Sequence, residues 1–177
     1  MTVHEREIKL AVSPTLTLPP LSDPLAGVIA VPAGTRHLVA TYYDTDDLRL
    51  ARAGASLRHR NDEGWAVKLP AGVRRDGLLD RSTYTFAGDG EDPPPEALDL
   101  VRALARTAPI APVARLNTVR RAVHLRTARG SPLGEVVDDD VTVVGGDAPV
   151  RAFRELEIEV ADDAPEAVSY THLRAHE

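Results

Sequence analysis

The chain has 177 residues, 43% of them hydrophobic and 27% charged, which fits one globular domain with a real core and leaves no room for two of ordinary size. A formal net charge of -6 argues against a general nucleic-acid coat, which needs a basic excess to displace phosphate counterions, and the lack of cysteine removes disulfides, thiolate metal sites and cysteine nucleophiles. No run is long enough to span a membrane and the first residues do not read as a signal peptide, so the expected location is cytoplasmic, with neither nucleic acid nor membrane as a partner.

The first element, His4 to Leu10 (HEREIKL), reads as a strand. Period 2 then puts Glu5, Glu7 and Lys9 on one face and Ile8 and Leu10 on the other. Same-face neighbours stand roughly 7 Å apart, a spacing at which two carboxylates can converge on one divalent cation. Taken alone, Glu-x-Glu-x-Lys is the pattern of a solvated strand face stitched by weak ion pairs. Its repetition on later strands is what gives it meaning.

Ala11 to Gly34 is rich in proline, leucine and small residues. Within it, Leu21 to Val28 reads as a short helix capped at Ser22 or Asp23 with Pro24 at its first position. Thr35 to Thr45 reads as a strand ending at Asp44, and Leu48 and Leu50 lead into a turn at Gly54. Ala55 to Pro70 is a hairpin: Leu57-Arg58-His59-Arg60 forms one arm, Asn61 to Gly64 the turn and Trp65 to Leu69 the other arm. Arg58 and Arg60 share one face, and Ala66 and Lys68 share one face of the second arm, so this ionic row is basic. Gly72 to Gly77 is a turn. Leu79 to Phe86 is a strand with Arg81, Thr83 and Thr85 on one face.

After an acidic loop, Glu96 to Thr107 is the clearest helix, its stripe formed by Leu100, Val101 and Leu104. Ala114 to Thr127 is an arginine-bearing strand, Gly130 to Gly134 a turn, and Glu135 to Val144 a returning strand with Asp138, Asp139 and Asp140 in succession. The three aspartates read as a hairpin or surface acidic patch, with at most one of them, Asp139, as a ligand. Gly145-Gly146 precedes a closing strand, Arg151 to Val160, with Glu155, Glu157 and Glu159 on one face. Trp65 and Tyr84 read as packing residues, and His59 and His124 as structural histidines. The segments amount to about seven mostly antiparallel strands with one solid and one short helix. Residues 168–177 break with this pattern and resemble a translated library adapter; 1–167 is the expected domain.

The polar faces are charged in blocks, acidic at both ends of the chain and basic between. An antiparallel barrel with its apolar face outward would turn these rows into a charged lumen. Buried charges on that scale require pairing, hydration or metal. Opposed carboxylate and guanidinium walls suit a polyanion that carries divalent metal.

Glu5-x-Glu7-x-Lys9, Tyr43-Asp44-Thr45, Leu57-Arg58-x-Arg60 with Trp65-x-x-Lys68, Arg120, Asp139 and Glu155-x-Glu157-x-Glu159 together resemble the CYTH domain, the triphosphate tunnel metalloenzymes. The resemblance implies a mainly β (α+β) fold, an eight-stranded antiparallel tunnel with helices outside, hydrolysing inorganic triphosphate or a related triphosphate compound with Mg2+ or Mn2+. It implies Glu5, Glu7, Asp139, Glu155, Glu157 and Glu159 as metal ligands. It implies Lys9, Arg58, Arg60, Lys68 and Arg120 as phosphate-binding residues, with Lys9 and Glu7 catalytic. Thr83 stands where the family often has Glu, and Thr118 where it often has Lys. The family's last helix and strand fall beyond Ala167 in this reading, so an incomplete, open tunnel is expected. A CHAD domain often follows in similar members. A polyphosphate-binding module without turnover and an adenylate cyclase remain the alternatives.

Overall fold

The computed structural model describes residues 2–19, 21, 27–71, 79–88, 91–144 and 151–161. Among these, runs of alternating apolar and charged residues form β1 (Thr2–Val12), β2 (Val28–Asp44), β3 (Ser56–Arg60), β4 (Gly64–Pro70), β5 (Leu79–Phe86), β6 (Ala111–Thr127), β7 (Pro132–Val144) and β8 (Arg151–Val160). Two helices, α1 (Arg49–Arg52) and α2 (Pro95–Ala105), complete the set. Neither is long and apolar enough to cross a membrane.

All neighbouring strands are antiparallel, and the order β1-β5-β4-β3-β2-β6-β7-β8 closes into a barrel. The closing strand is β1, which pairs along one edge with β5 (Glu5 opposite Arg81) and along the other with β8 (Lys9 opposite Glu157). This corrects the expectation of a tunnel left open at its C-terminal side: both edges of β1 are used, and the ring is complete within the described residues.

Two strands are longer than expected because proline-bearing stretches are absorbed into them. β2 begins at Val28 rather than Thr35, with an irregularity in its pairing to β6 between Pro32 and Thr35, where Gly34 sits at φ 87°. β6 begins at Ala111, with a second register shift near Pro112. Residues 22–26 of the expected short helix, the turn at 72–77, Gly145-Gly146 and the 168–177 tail lie outside the described residues.

The apolar faces point out of the barrel. Tyr43, Leu50, Ala55, Leu57, Trp65 and Val67 form a core under α2, which contributes Ala97, Val101 and Ala105. The expected stripe is thus rotated: the i, i+4, i+8 row of small residues and Val101 lies deepest, where the helix approaches the strands, and Leu100 and Leu104 flank it half-buried. Trp65 is fully buried between the rings of Tyr43 and His59, with centroids 4.9 and 5.1 Å away. Asp44 is buried and holds α1 in place: its carboxylate accepts from the backbone N–H groups of Thr45, Leu50 and Ala51 at 2.7, 2.9 and 3.0 Å. A second outer cluster joins Leu125, Leu133 and Val136 to Ile158. There β7 and β8 approach so closely that a Cβ on Gly134 would stand 2.3 Å from the Glu159 carbonyl oxygen, a position only glycine tolerates.

Candidate active site

With the apolar face outward, alternation sends the charged rows of all eight strands inward. The carboxylate side is built by β7 and β8. Asp139 and Glu155 are cross-strand partners, Glu157 lies two residues on, and one oxygen from each of the three falls within 4.8 Å of the others. Asp138 and Asp140 point out of the barrel, where Arg154 grips Asp138 at 2.7 and 2.9 Å and Arg121 reaches Asp138 and Asp140 at 3.3 and 2.7 Å. One aspartate of the three therefore faces the lumen.

Glu7 is 4% exposed. Its nearest cations are Arg81, 3.7 Å away, and Lys9, 3.9 Å away. Glu159 pairs in register with Glu7 and Glu135 and is exposed at a mouth of the barrel, apart from the Asp139–Glu155–Glu157 group. Glu5 lies in β1 opposite Arg81; its side chain is outside the described set.

The cationic side comes from β1, β3, β4 and β6. Arg120 lies opposite Asp139 in register, which aims its guanidinium straight at the carboxylate: it donates to Asp139 at 2.6 to 3.2 Å and to Glu157 at 3.1 Å. Lys9 Nζ donates to Glu157 Oε1. Arg58 and Arg60 line the same small cavity as Lys9, Arg120, Asp139, Glu155 and Glu157. Lys68 lies opposite Thr83 across β4 and β5, close enough to act on Glu157.

The protonation pattern follows from this pairing. Burial alone would lower Lys9, but Glu157 and Glu7 more than offset it and hold the ammonium above its ordinary value. Burial pushes Glu157 up, and Lys9, Arg120 and Lys68 reverse the shift and hold it below the usual carboxylate range. Glu155 goes the other way. Burial and the negative charges of Glu157 and Asp139 raise it, against the pull of Lys9. Arg120 is likewise held charged against its burial, by Asp139 and Glu157.

Among the described residues, four buried side-chain polar atoms have no hydrogen-bond partner: Glu7 Oε1, Arg58 Nε, Thr83 Oγ1 and Glu135 Oε1. By strand alternation all four face the lumen. Native interiors satisfy nearly all such groups; of the four, Arg58 lines the cavity shared with Lys9 and the carboxylates, and Glu135 lines a separate pocket with His124 and Glu159. The donors are all oxygens, which fits a hard divalent cation such as magnesium or manganese.

Several lumen residues escaped the reading of the sequence. Tyr42 and Arg36 share the inward face of β2 with Leu38 and Ala40, and period 2 carried that signal. Arg81 was seen on the right face but not as the partner of Glu7. Asp62 and Glu63 read as turn residues, and nothing in their spacing shows that they fold back over Arg58 and Arg60. His124 lies 3.4 Å from Glu135.

The chain is similar to two Mycobacterium tuberculosis proteins, the uncharacterized proteins MT2285 (strain CDC 1551 / Oshkosh) and Rv2226 (strain H37Rv), each 39% identical over 130 residues. The match covers 71% of this chain and 25% of each relative, so the chain spans about a quarter of their length. A crystal structure of a putative adenylate cyclase from Bacillus halodurans superposes with a TM-score of 0.58 at 20% identity, covering 97% of this chain and 87% of that one. That likeness establishes the fold. The family model for the CYTH domain matches residues 4–171, over the strands that carry every charged row described above, and the chain belongs to the CYTH domain family.

Proposed function

We propose that the protein is a metal-dependent triphosphatase that hydrolyses inorganic triphosphate, or a related triphosphate compound, in the lumen of its barrel, in the cytoplasm. The observation that carries this reading is a lumen whose two sides bear opposite charge, with the Asp139–Glu155–Glu157 carboxylates lining one cavity with Lys9, Arg58, Arg60 and Arg120. Asp139, Glu155 and Glu157, with Glu7 beside them, would hold Mg2+ or Mn2+. The cation would neutralise phosphate oxygens and polarise phosphorus for in-line attack by water.

The protein's own residues do the positioning. Arg58, Arg60 and Arg120 offer forked donors to phosphate oxygens, and Lys9 and Lys68 compact charges. Lys9, held protonated between Glu7 and Glu157, is placed to grip the phosphate under attack or to orient the water. Little covalent chemistry is asked of the protein. The cationic wall takes up charge on the leaving phosphate.

The test is phosphate release from inorganic triphosphate with magnesium by the wild type and by Glu7→Ala. Loss of at least about 100-fold in kcat is expected for the variant, the scale of removing one preorganised electrostatic group. Tight binding of triphosphate with no release by the wild type would make the domain a polyphosphate-binding module. Cyclic AMP and pyrophosphate formed from ATP would make it a cyclase.

A further inference from the structure

Two of the arginines assigned to phosphate, Arg58 and Arg60, are already occupied, and their occupants come from the turn that joins β3 to β4. Glu63 Oε2 accepts from Arg58 at 2.7 Å and stands 3.0 Å from Arg60. Asp62 Oδ1 accepts from Arg60 Nε at 2.5 Å, and Asp62 Oδ2 lies 3.8 Å from Arg36. Both arginines are 13% exposed and the two carboxylates about a quarter exposed, so the pairs sit at the rim of the lumen rather than in free solvent.

The turn is fixed in that position. Asn61 accepts from the Val39 N–H at 2.9 Å through its side chain, its own N–H donates to the Val39 carbonyl at 3.1 Å, and its amide donates to the His37 carbonyl at 3.3 Å. These bonds staple the tip of the hairpin to β2 and leave the next two side chains facing the guanidinium groups. The cavity that remains among Lys9, Arg58, Arg60, Arg120, Asp139 and Glu157 is about 50 Å³, room for one or two waters, against the several hundred cubic ångströms of an ordinary small-molecule site. Asp62 and Glu63 do not line that cavity; they engage its arginines from the rim, so a chain of phosphates that uses Arg58 and Arg60 meets carboxylates already held by the same donors.

We infer that Asp62 and Glu63 form an internal competitor for the arginine clamp, so that a triphosphate binds by displacing them and its apparent affinity is set by that exchange. The inference rests on the triphosphate reading above. It makes Glu63 a residue that determines affinity while lying outside the metal-holding group.

The experiment uses the full chain as wild type, Glu63→Gln and Asp62→Asn, with inorganic triphosphate and magnesium, and reads both KM and the thermal shift produced by triphosphate. Removing the competing charge releases a charge-assisted hydrogen bond that triphosphate no longer has to break. Glu63→Gln is expected to lower KM about tenfold and to enlarge the triphosphate-induced shift, and Asp62→Asn to move both the same way by less. An unchanged or raised KM in an active wild-type background would overturn the inference, because it would mean that the turn orients the guanidinium groups for substrate. If Glu63→Gln does not fold, Asp62→Asn decides alone. A wild type neither stabilised by triphosphate nor hydrolysing it would remove the triphosphate reading, and this inference with it.

Discussion

Replacing Arg120 by glutamine separates structural from ligand-binding electrostatics in the lumen. The side chain is 16% exposed and bridges Asp139 and Glu157, whose side chains are 3% and 12% exposed. Two unit charges at about 4 Å attract by ~4 kcal/mol at an effective dielectric near 20, and the desolvation that Arg120 no longer suffers cancels part of the two contacts. Breaking a buried pair from one side costs roughly 3–5 kcal/mol, because the carboxylates left behind are desolvated and repel each other. At ~2–4 °C per kcal/mol for a chain of this size, the melting temperature in EDTA should fall by roughly 6–20 °C. Excess magnesium should then restore more stability to Arg120→Gln than it gives the wild type, since a divalent cation supplies the charge that Asp139, Glu155 and Glu157 have lost. A drop of less than ~3 °C in EDTA, or equal stabilisation of both proteins by magnesium, would refute the account of the lumen as mutually paired walls.

Asp44→Ala removes three acceptances from backbone N–H groups and leaves the buried N–H of Leu50 without its acceptor at the start of α1; a loss of ~1–3 kcal/mol is expected, seen as a lower denaturant midpoint at constant m. Asp138 is expected to govern part of the acid limb of stability. Its hydrogen bonds from Arg154 hold it below its ordinary value of 3.8, so its contribution is complete above that value and is lost as pH falls through the folded one. Asp138→Asn should therefore unfold more easily at neutral pH and lose less further stability on acidification than the wild type, and parallel acid titrations of the two would exclude the assignment.

The charged faces were legible because strand alternation is a strict period: once Glu7, Arg58, Lys68, Asp139 and Glu157 are placed on strands, their sharing one side of a closed sheet follows. Alternation separates Asp139 from Asp138 and Asp140, and the family resemblance is what puts Asp139 on the lumen side. The boundaries that slipped were those set by tertiary pairing. Pro32-Ala33-Gly34 looks like the end of an element, yet the long ladder between β2 and β6 carries the strand past it. The closing strand was illegible as such, because nothing local in Thr2–Val12 shows that both its edges will be paired. Asp44 shows another limit. It was read as part of a family motif without a role, and its work at α1 depends on backbone N–H groups six and seven residues on that only the fold brings into range. The paired oxygens of Asp62 and Glu63 were hidden for the converse reason, since a turn residue's direction is set by how the hairpin docks, here through Asn61.

Because β1 and β8 come from opposite ends of the chain, the lumen exists only after the longest loop in the molecule has closed. Contacts of such high sequence separation form late and slowly, after the entropy of bringing distant segments together has been met. A ribosome-bound intermediate holding β1 through β6 has the basic rows in place but neither the facing acids of β7 and β8 nor a sealed seam. The sealed lumen thus arrives with β8, the last of the described strands, and until then Lys9 and Arg120 stand without the Glu157 carboxylate that pairs them.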